Sequence, residues 1–259
     1  MIGPLAEATA IGEQALWVGI AVFLRVGAAM AVLPAFGEQS LSVRVRLGAA
    51  IALTLLVAPA VAPAVPQADI GALLRLLVTE TLVGLALGLI LRLLILTLQI
   101  AGTIAAQSTS LAQLFGGAAA EPLPAIGHLL VVSGLALAAM ADLHVHVAAA
   151  LIGTYALVPA GTLLAPGAMA EIGVGHVAHA FALAFTLASP FVLGALVYNL
   201  ALGAINRAMP LLMVAFVGAP AITAAGLALL AITAPIMLEM WHRALLATLA
   251  DPFGPPGAR

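Results

Sequence analysis

Long apolar stretches, separated by short breaks of polar, glycine and proline residues, make up most of this chain. A mildly acidic lead-in, 1–14, precedes an apolar run from Ala15 to Leu33 that only Arg25 interrupts. Pro34 stops that run, and Phe36–Ser40 predicts a turn. Ser42 is the predicted N-cap of a second helix. Arg44 and Arg46 lie in its first turns, and apolar residues follow from Leu47 to about Ala58. Pro59, Pro63 and Pro66 predict a break into an extended segment. Asp69 is the next predicted cap, and a helical pattern runs from Ile70 to about Ala106. At about 1.5 Å per residue that helix is longer than a bilayer core of about 30 Å, so it must tilt, kink or protrude. It contains Arg75, Glu80 and Arg92, and Gly84 and Gly88 form a GxxxG face that permits close helix approach.

Residues 107–125 form the most polar and least helical internal stretch, marked by Gly116-Gly117 and by Pro122 and Pro124. Its tip is small and apolar, which predicts that it packs against something. A fourth helix is expected from Ile126 to Met140. Asp142, His144 and His146 interrupt the pattern before a short apolar piece, Val147–Val158. Pro159, Gly161, Pro166 and Gly167 predict a connection. A long helix follows from about His176 to Ile205, with a kink at Ser189-Pro190. The last apolar segment runs from Leu211 to about Leu249, with bends at Gly218/Pro220 and Pro235. Residues 251–259 read as a disordered tail. About six hydrophobic segments, several of them broken, predict one all-α, membrane-associated domain.

The stretch Ser189–Gly226 is the least ordinary of these. It carries Asn199, Asn206, Arg207, Pro210 and Pro220 inside an apolar sequence. Polar groups at hydrocarbon depth need partners, and broken backbone there must be buried in protein or line a cavity. Two helices meeting at a polar turn, 206–210, within a protein assembly are therefore expected.

Composition sharpens the class. The 259 residues are 64% hydrophobic and 7% charged, where soluble domains carry about a quarter charged residues. There is no cysteine, so thiol catalysis, disulfides and cysteine-based metal sites are excluded. The net charge of −2, without a basic run, gives no support to nucleic-acid binding. Glu7 and Glu13 stand where a cleavable signal peptide would carry basic residues, so none is expected. Aromatic residues are only 5%, too few for a thick interfacial belt.

The candidate chemistry is sparse. Asp142 and His146 share a helix face, but His144 points elsewhere, and two ligands do not make a zinc site. His176 and His179 sit at a helix start and are read the same way. Glu80 lacks the chain of titratable neighbours that a proton relay needs, so pairing with an arginine is expected. Arg25 and Arg92 are read as buried hydrogen-bond donors. Ser108, Thr109 and Ser110 lack a nucleophile context, and Gly173-Val-Gly175 lacks the strand that a dinucleotide fingerprint requires. No enzyme, metal or cofactor is expected.

Three stretches carry a family resemblance. They are RVGAAMAVLPAFGEQSLSVRVRLGAAIAL, ETLVGLALGLILRLLILTLQIAGTIAAQ, and LVYNLALGAINRAMPLLMVAFVGAPAITAAGL. In this order and spacing they resemble the FliR family, or SctT type, of the type III secretion and flagellar export gate. The Asn-x2-Leu-Gly-x2-Asn-Arg-x-Met-Pro run is the most specific. The resemblance implies helical hairpins as in the FliP/FliQ/FliR gate, with roughly 1–170 as a FliP-like half and 171–250 as a FliQ-like hairpin. It implies FliP-like and FliQ-like partners, FlhB- and FlhA-like neighbours, and a location in the bacterial inner membrane within a flagellar basal body or injectisome base. Unfolded exported proteins would pass through the pore. The loop of about 108–121 would be a pore plug, with Ser110, Leu111, Leu114, Phe115, Gly116 and Gly117 at the constriction. Arg25, Glu80, Gln107, Asn199, Asn206, Arg207 and Pro210 would be buried polar or assembly residues. Departures are Phe115-Gly-Gly-Ala in the plug and Asp142-Leu143-His144 where Gly-Gly-His is usual. The competing function is a small-molecule or ion transporter, which broken helices with polar interiors also suit.

Overall fold

A computed structural model describes residues 3–33, 42–66, 70–109, 125–209 and 214–256. All regular structure among them is helical: α1 (Gly3–Val32), α2 (Val43–Val61), α3 (Ile70–Thr109), α4 (Ala125–Met140), α5 (Leu143–Leu157), α6 (Pro166–Ala208) and α7 (Val214–Ala250), with a 3-10 turn at Ala62–Ala64. Among the described residues five helices are long and apolar enough to cross a membrane, and α4 with α5 would make a sixth. The helix count agrees with the pattern in the sequence, whereas Asn206–Ala208 of the expected polar turn 206–210 continue α6 as helix and Pro210 lies outside the described residues.

Several boundaries differ from expectation. α1 begins at Gly3 rather than Ala15. Pro4 falls in its first turn, where the missing amide donor has no helical partner to lose. Ser42 caps α2 as expected, its hydroxyl accepting from the Val45 amide at 3.4 Å. Pro59 does not break α2, which continues to Val61 before the 3-10 turn. Proline this close to a helix end forfeits one backbone bond while the neighbouring turns hold. α6 begins at Pro166, ten residues ahead of the expected start, because proline is pre-set for the first helical position. Neither Pro190 in α6 nor Pro220 and Pro235 in α7 interrupts its helix.

The chain divides into two compact units. The first comprises Met1–Leu93, Ala141–Val177 and Leu245–Arg259, and the second Leu94–Met140 and Ala178–Ala244. Helices α3, α6 and α7 contribute to both. In the first unit Val22, Val26, Val57, Leu76, Val83, Leu87 and Leu151 are buried. Gly84 and Gly88 face α1 so closely that a Cβ on Gly84 would overlap the Arg25 carbonyl, and one on Gly88 would lie 2.7 Å from the Ala29 oxygen. The GxxxG face is therefore a true contact surface. The 251–256 part of the expected tail is packed in this unit. Pro252 is buried, with its carbonyl 3.1 Å from His176 Nε2, and Pro256 lies against Gly175.

In the second unit Leu98, Leu130, Leu187 and Phe191 are buried. Gly102 of α3 meets Gly127 of α4 at backbone distance. Trp241 is fully buried beside Gly134, and its indole nitrogen donates to the Leu94 carbonyl at 2.7 Å. Burial of a tryptophan without that bond would leave a polar group unsatisfied.

Candidate functional site

The polar heart of the first unit is a fully buried ion pair between Arg25 of α1 and Glu80 of α3, both 0% exposed. Glu80 stands one turn before Gly84 and two before Gly88, on the row that faces α1. The two glycines bring the backbones together, and the carboxylate at the end of the row reaches the guanidinium. Arg25 Nε donates to Glu80 Oε2 at 2.8 Å and Nη2 to Oε1 at 3.2 Å, a two-pronged contact. Nη1 donates to Thr154 Oγ1 at 3.1 Å, and Nη2 also donates to the Val158 carbonyl at 3.0 Å. The Thr154 hydroxyl in turn donates to the Leu151 carbonyl at 2.7 Å. The guanidinium carbon lies 3.7 Å from the centroid of the Tyr155 ring, a cation–π contact. Glu80 Oε1 also accepts from the Gly161 amide at 3.0 Å.

This arrangement meets the conditions that make a buried charge tolerable. Desolvation costs several kcal/mol per ion and is offset only by good geometry with satisfied donors and acceptors. Of the five guanidinium N–H groups four are hydrogen-bonded, one on Nε, one on Nη1 and both on Nη2. The cluster joins α1, α3, α5 and the connection after α5.

Glu80 pairs with Arg25, 55 positions away in sequence, while Arg75, its arginine neighbour on α3, is exposed. Arg92, expected to be a buried donor, is also exposed. It lies on the face of α3 away from its buried neighbour Leu91, and its charge then avoids the desolvation that Arg25 needs four contacts to offset. Gln107 is exposed near the end of α3, Asn199 is exposed on α6, and Arg207 is exposed in the last turn of α6. Asn206 belongs to that turn. Ser110, Leu111, Leu114, Phe115, Gly116, Gly117 and Pro210 lie outside the described residues. His144 and His146 are exposed, and no group of three metal-ligating side chains occurs among the described residues. Thr154, Tyr155, the Val158 carbonyl and the Gly161 amide were not singled out from sequence. The only signal for them was the Pro159/Gly161 turn.

Apolar helices of this length, cross-braced by glycine contacts and a buried ion pair, define an all-α membrane protein with five to six helices, among the described residues, long and apolar enough to cross a bilayer. The chain belongs to the bacterial export proteins, family 1, whose sequence profile matches residues 16–248. It is similar to the flagellar biosynthetic protein FliR of Caulobacter vibrioides, with 33% identity over 230 residues, covering 87% of this chain and 92% of that protein. It is also similar to the proteins of that name from Escherichia coli K12 and Pectobacterium carotovorum. The first is 28% identical over 222 residues, covering 83% of each chain. The second is 26% identical over 219 residues, with the same coverage.

Proposed function

We propose that this chain is the FliR-type subunit of a flagellar protein export apparatus. The observation that carries the reading is the match to an export-protein family across 16–248, with a relative named FliR aligned over 92% of its own length. In this reading the chain sits in the bacterial inner membrane within the basal body. It assembles with FliP-like and FliQ-like subunits, beside FlhA- and FlhB-like ones, around a pore for unfolded proteins. Roughly 1–170 serve as a FliP-like half and 171–250 as a FliQ-like hairpin.

Helix length supports partners made of protein. α3, α6 and α7 contain 40, 43 and 37 residues. At 1.5 Å per residue they are about 60, 65 and 55 Å long, against about 30 Å of hydrocarbon. Val174, Phe181, Phe185, Leu193, Val197 and Leu200 are all exposed along α6. That series extends about 39 Å, longer than one bilayer core, and apolar surface beyond lipid calls for a protein cover. Gln107, Asn199, Asn206, Arg207 and Pro210 then serve the junctions with neighbouring subunits.

The loop 108–121 is the pore plug of this reading, with Ser110, Leu111, Leu114, Phe115, Gly116 and Gly117 at the constriction. Small apolar residues close a pore by dewetting, and two glycines let the backbone swing aside. The test is co-expression of the full chain with its FliP- and FliQ-like partners. A large complex should be recovered, and deleting Leu114–Gly117 should raise ion leak through it. A stable monomer with substrate-dependent flux would overturn the export reading. A complex whose leak is unchanged by the deletion would overturn the plug alone.

A further inference from the structure

The Arg25–Glu80 pair does more than join two helices. Residues 158–162 turn the chain from α5 toward α6, and several of the turn's bonds are internal. The Val158 amide donates to the Thr154 carbonyl at 2.8 Å. The Thr162 amide and hydroxyl both reach the Pro159 carbonyl, at 3.1 and 2.6 Å. The Val158 carbonyl and the Gly161 amide are met instead by the ion pair. Arg25 Nη2 donates to the first and Glu80 Oε1 accepts from the second, each at 3.0 Å. Gly161 holds φ +77, a left-handed conformation that suits glycine.

We infer that the Arg25–Glu80 pair is a positioning latch for the Val158–Gly161 turn, the link between α5 and α6. Two apolar side chains of similar volume could fill the same space and join α1 to α3 at little or no cost in stability. They could not give a donor to the buried Val158 carbonyl and an acceptor to the half-buried Gly161 amide, partners that backbone groups shielded from water require. Only a forked cation and a carboxylate do both while neutralising each other. The Tyr155 ring under the guanidinium and the Thr154 hydroxyl at Nη1 hold the fork in the plane that reaches Val158.

The chain has no cysteine, so one introduced thiol is a unique probe. Ala160 lies in the turn and is buried, as is Val83 on α3. Ala160→Cys and Val83→Cys are made separately in the full chain, in membranes of cells that carry the rest of the export apparatus. Each is combined with the intact pair, with R25M/E80L and with R25K. Maleimide labelling of each thiol is timed. Both pair variants should label position 160 at least about tenfold faster than the intact pair, through local opening, while position 83 stays protected. R25K keeps the charge but not the fork, so it decides the matter alone if the apolar double variant is not recovered. Unchanged labelling at 160 would overturn the latch. Faster labelling at both positions would also overturn it, because the pair would then be holding the whole helix cluster.

Discussion

Gly84→Ala should destabilise the first unit even though alanine is the better helix former. At an open helical site this exchange stabilises by about 0.5–1 kcal/mol. Gly84 is not open. A Cβ there would overlap the Arg25 carbonyl oxygen, and would lie 2.9 Å from the carbonyl carbon and 3.0 Å from Ala28 Cβ. The obstacle is mostly helix backbone, which cannot rotate away as a side-chain tip can. α1 would have to retreat by roughly 1 Å, a gap that forfeits up to about half of each dispersion contact along the stripe. The residue pushed is Arg25 itself, so the ion pair is stretched by the same movement. Overpacking costs about 1–3 kcal/mol, and an obstacle made of backbone argues for the upper half of that range. Subtracting the gain in helix propensity leaves a net loss of about 1–2.5 kcal/mol, or a melting point lower by about 2–10 °C. The assay is thermal unfolding in detergent, followed by Trp17 fluorescence in a Trp241→Phe background. Trp17 belongs to the first unit, where its indole nitrogen donates to the Pro66 carbonyl at 2.9 Å. Gly48→Ala is the matched control, since a Cβ there meets nothing within 4 Å, and it should raise stability by about 0.5–1 kcal/mol. Gly84→Ala unfolding at or above the parent temperature would refute the reasoning.

Two further outcomes can be checked with the same unfolding assay. Glu80→Gln or Arg25→Met alone should cost about 3–5 kcal/mol by disrupting a buried pair from one side, while R25M/E80L should cost less, about 1–3 kcal/mol, from the Val158 carbonyl and Gly161 amide left unpaired. A double variant as unstable as the sum of the single ones would show that the charges do not interact. Asp142 adopts a left-handed conformation, φ 56, between α4 and α5. Asp142→Val should therefore cost about 1–2 kcal/mol, while Asp142→Asn should be nearly neutral. Equal melting points for these two variants would sink that account.

The sequence by itself determined the features that depend on local composition. The number of apolar segments, the Ser42 cap and the closeness implied by Gly84 and Gly88 were all legible there, as were the stretches that mark the export family. Hydropathy, capping and glycine spacing act over one or two helical turns, so a reader of the chain meets them directly. Features that depend on contacts or on cooperative helix growth were not legible. Glu80 has an arginine five residues away, yet it pairs with one 55 positions away, because the glycine row draws α3 onto α1. Pro59 looks like a break, yet α2 continues through it to Val61, because the proline removes one backbone bond while the surrounding turns keep theirs. The segment 251–256 looks like a loose end, yet its Pro252 is buried beside His176. Only the tertiary structure decided which buried charge meets which, since that choice minimises unpaired polar groups over the whole packed unit rather than along any stretch of chain.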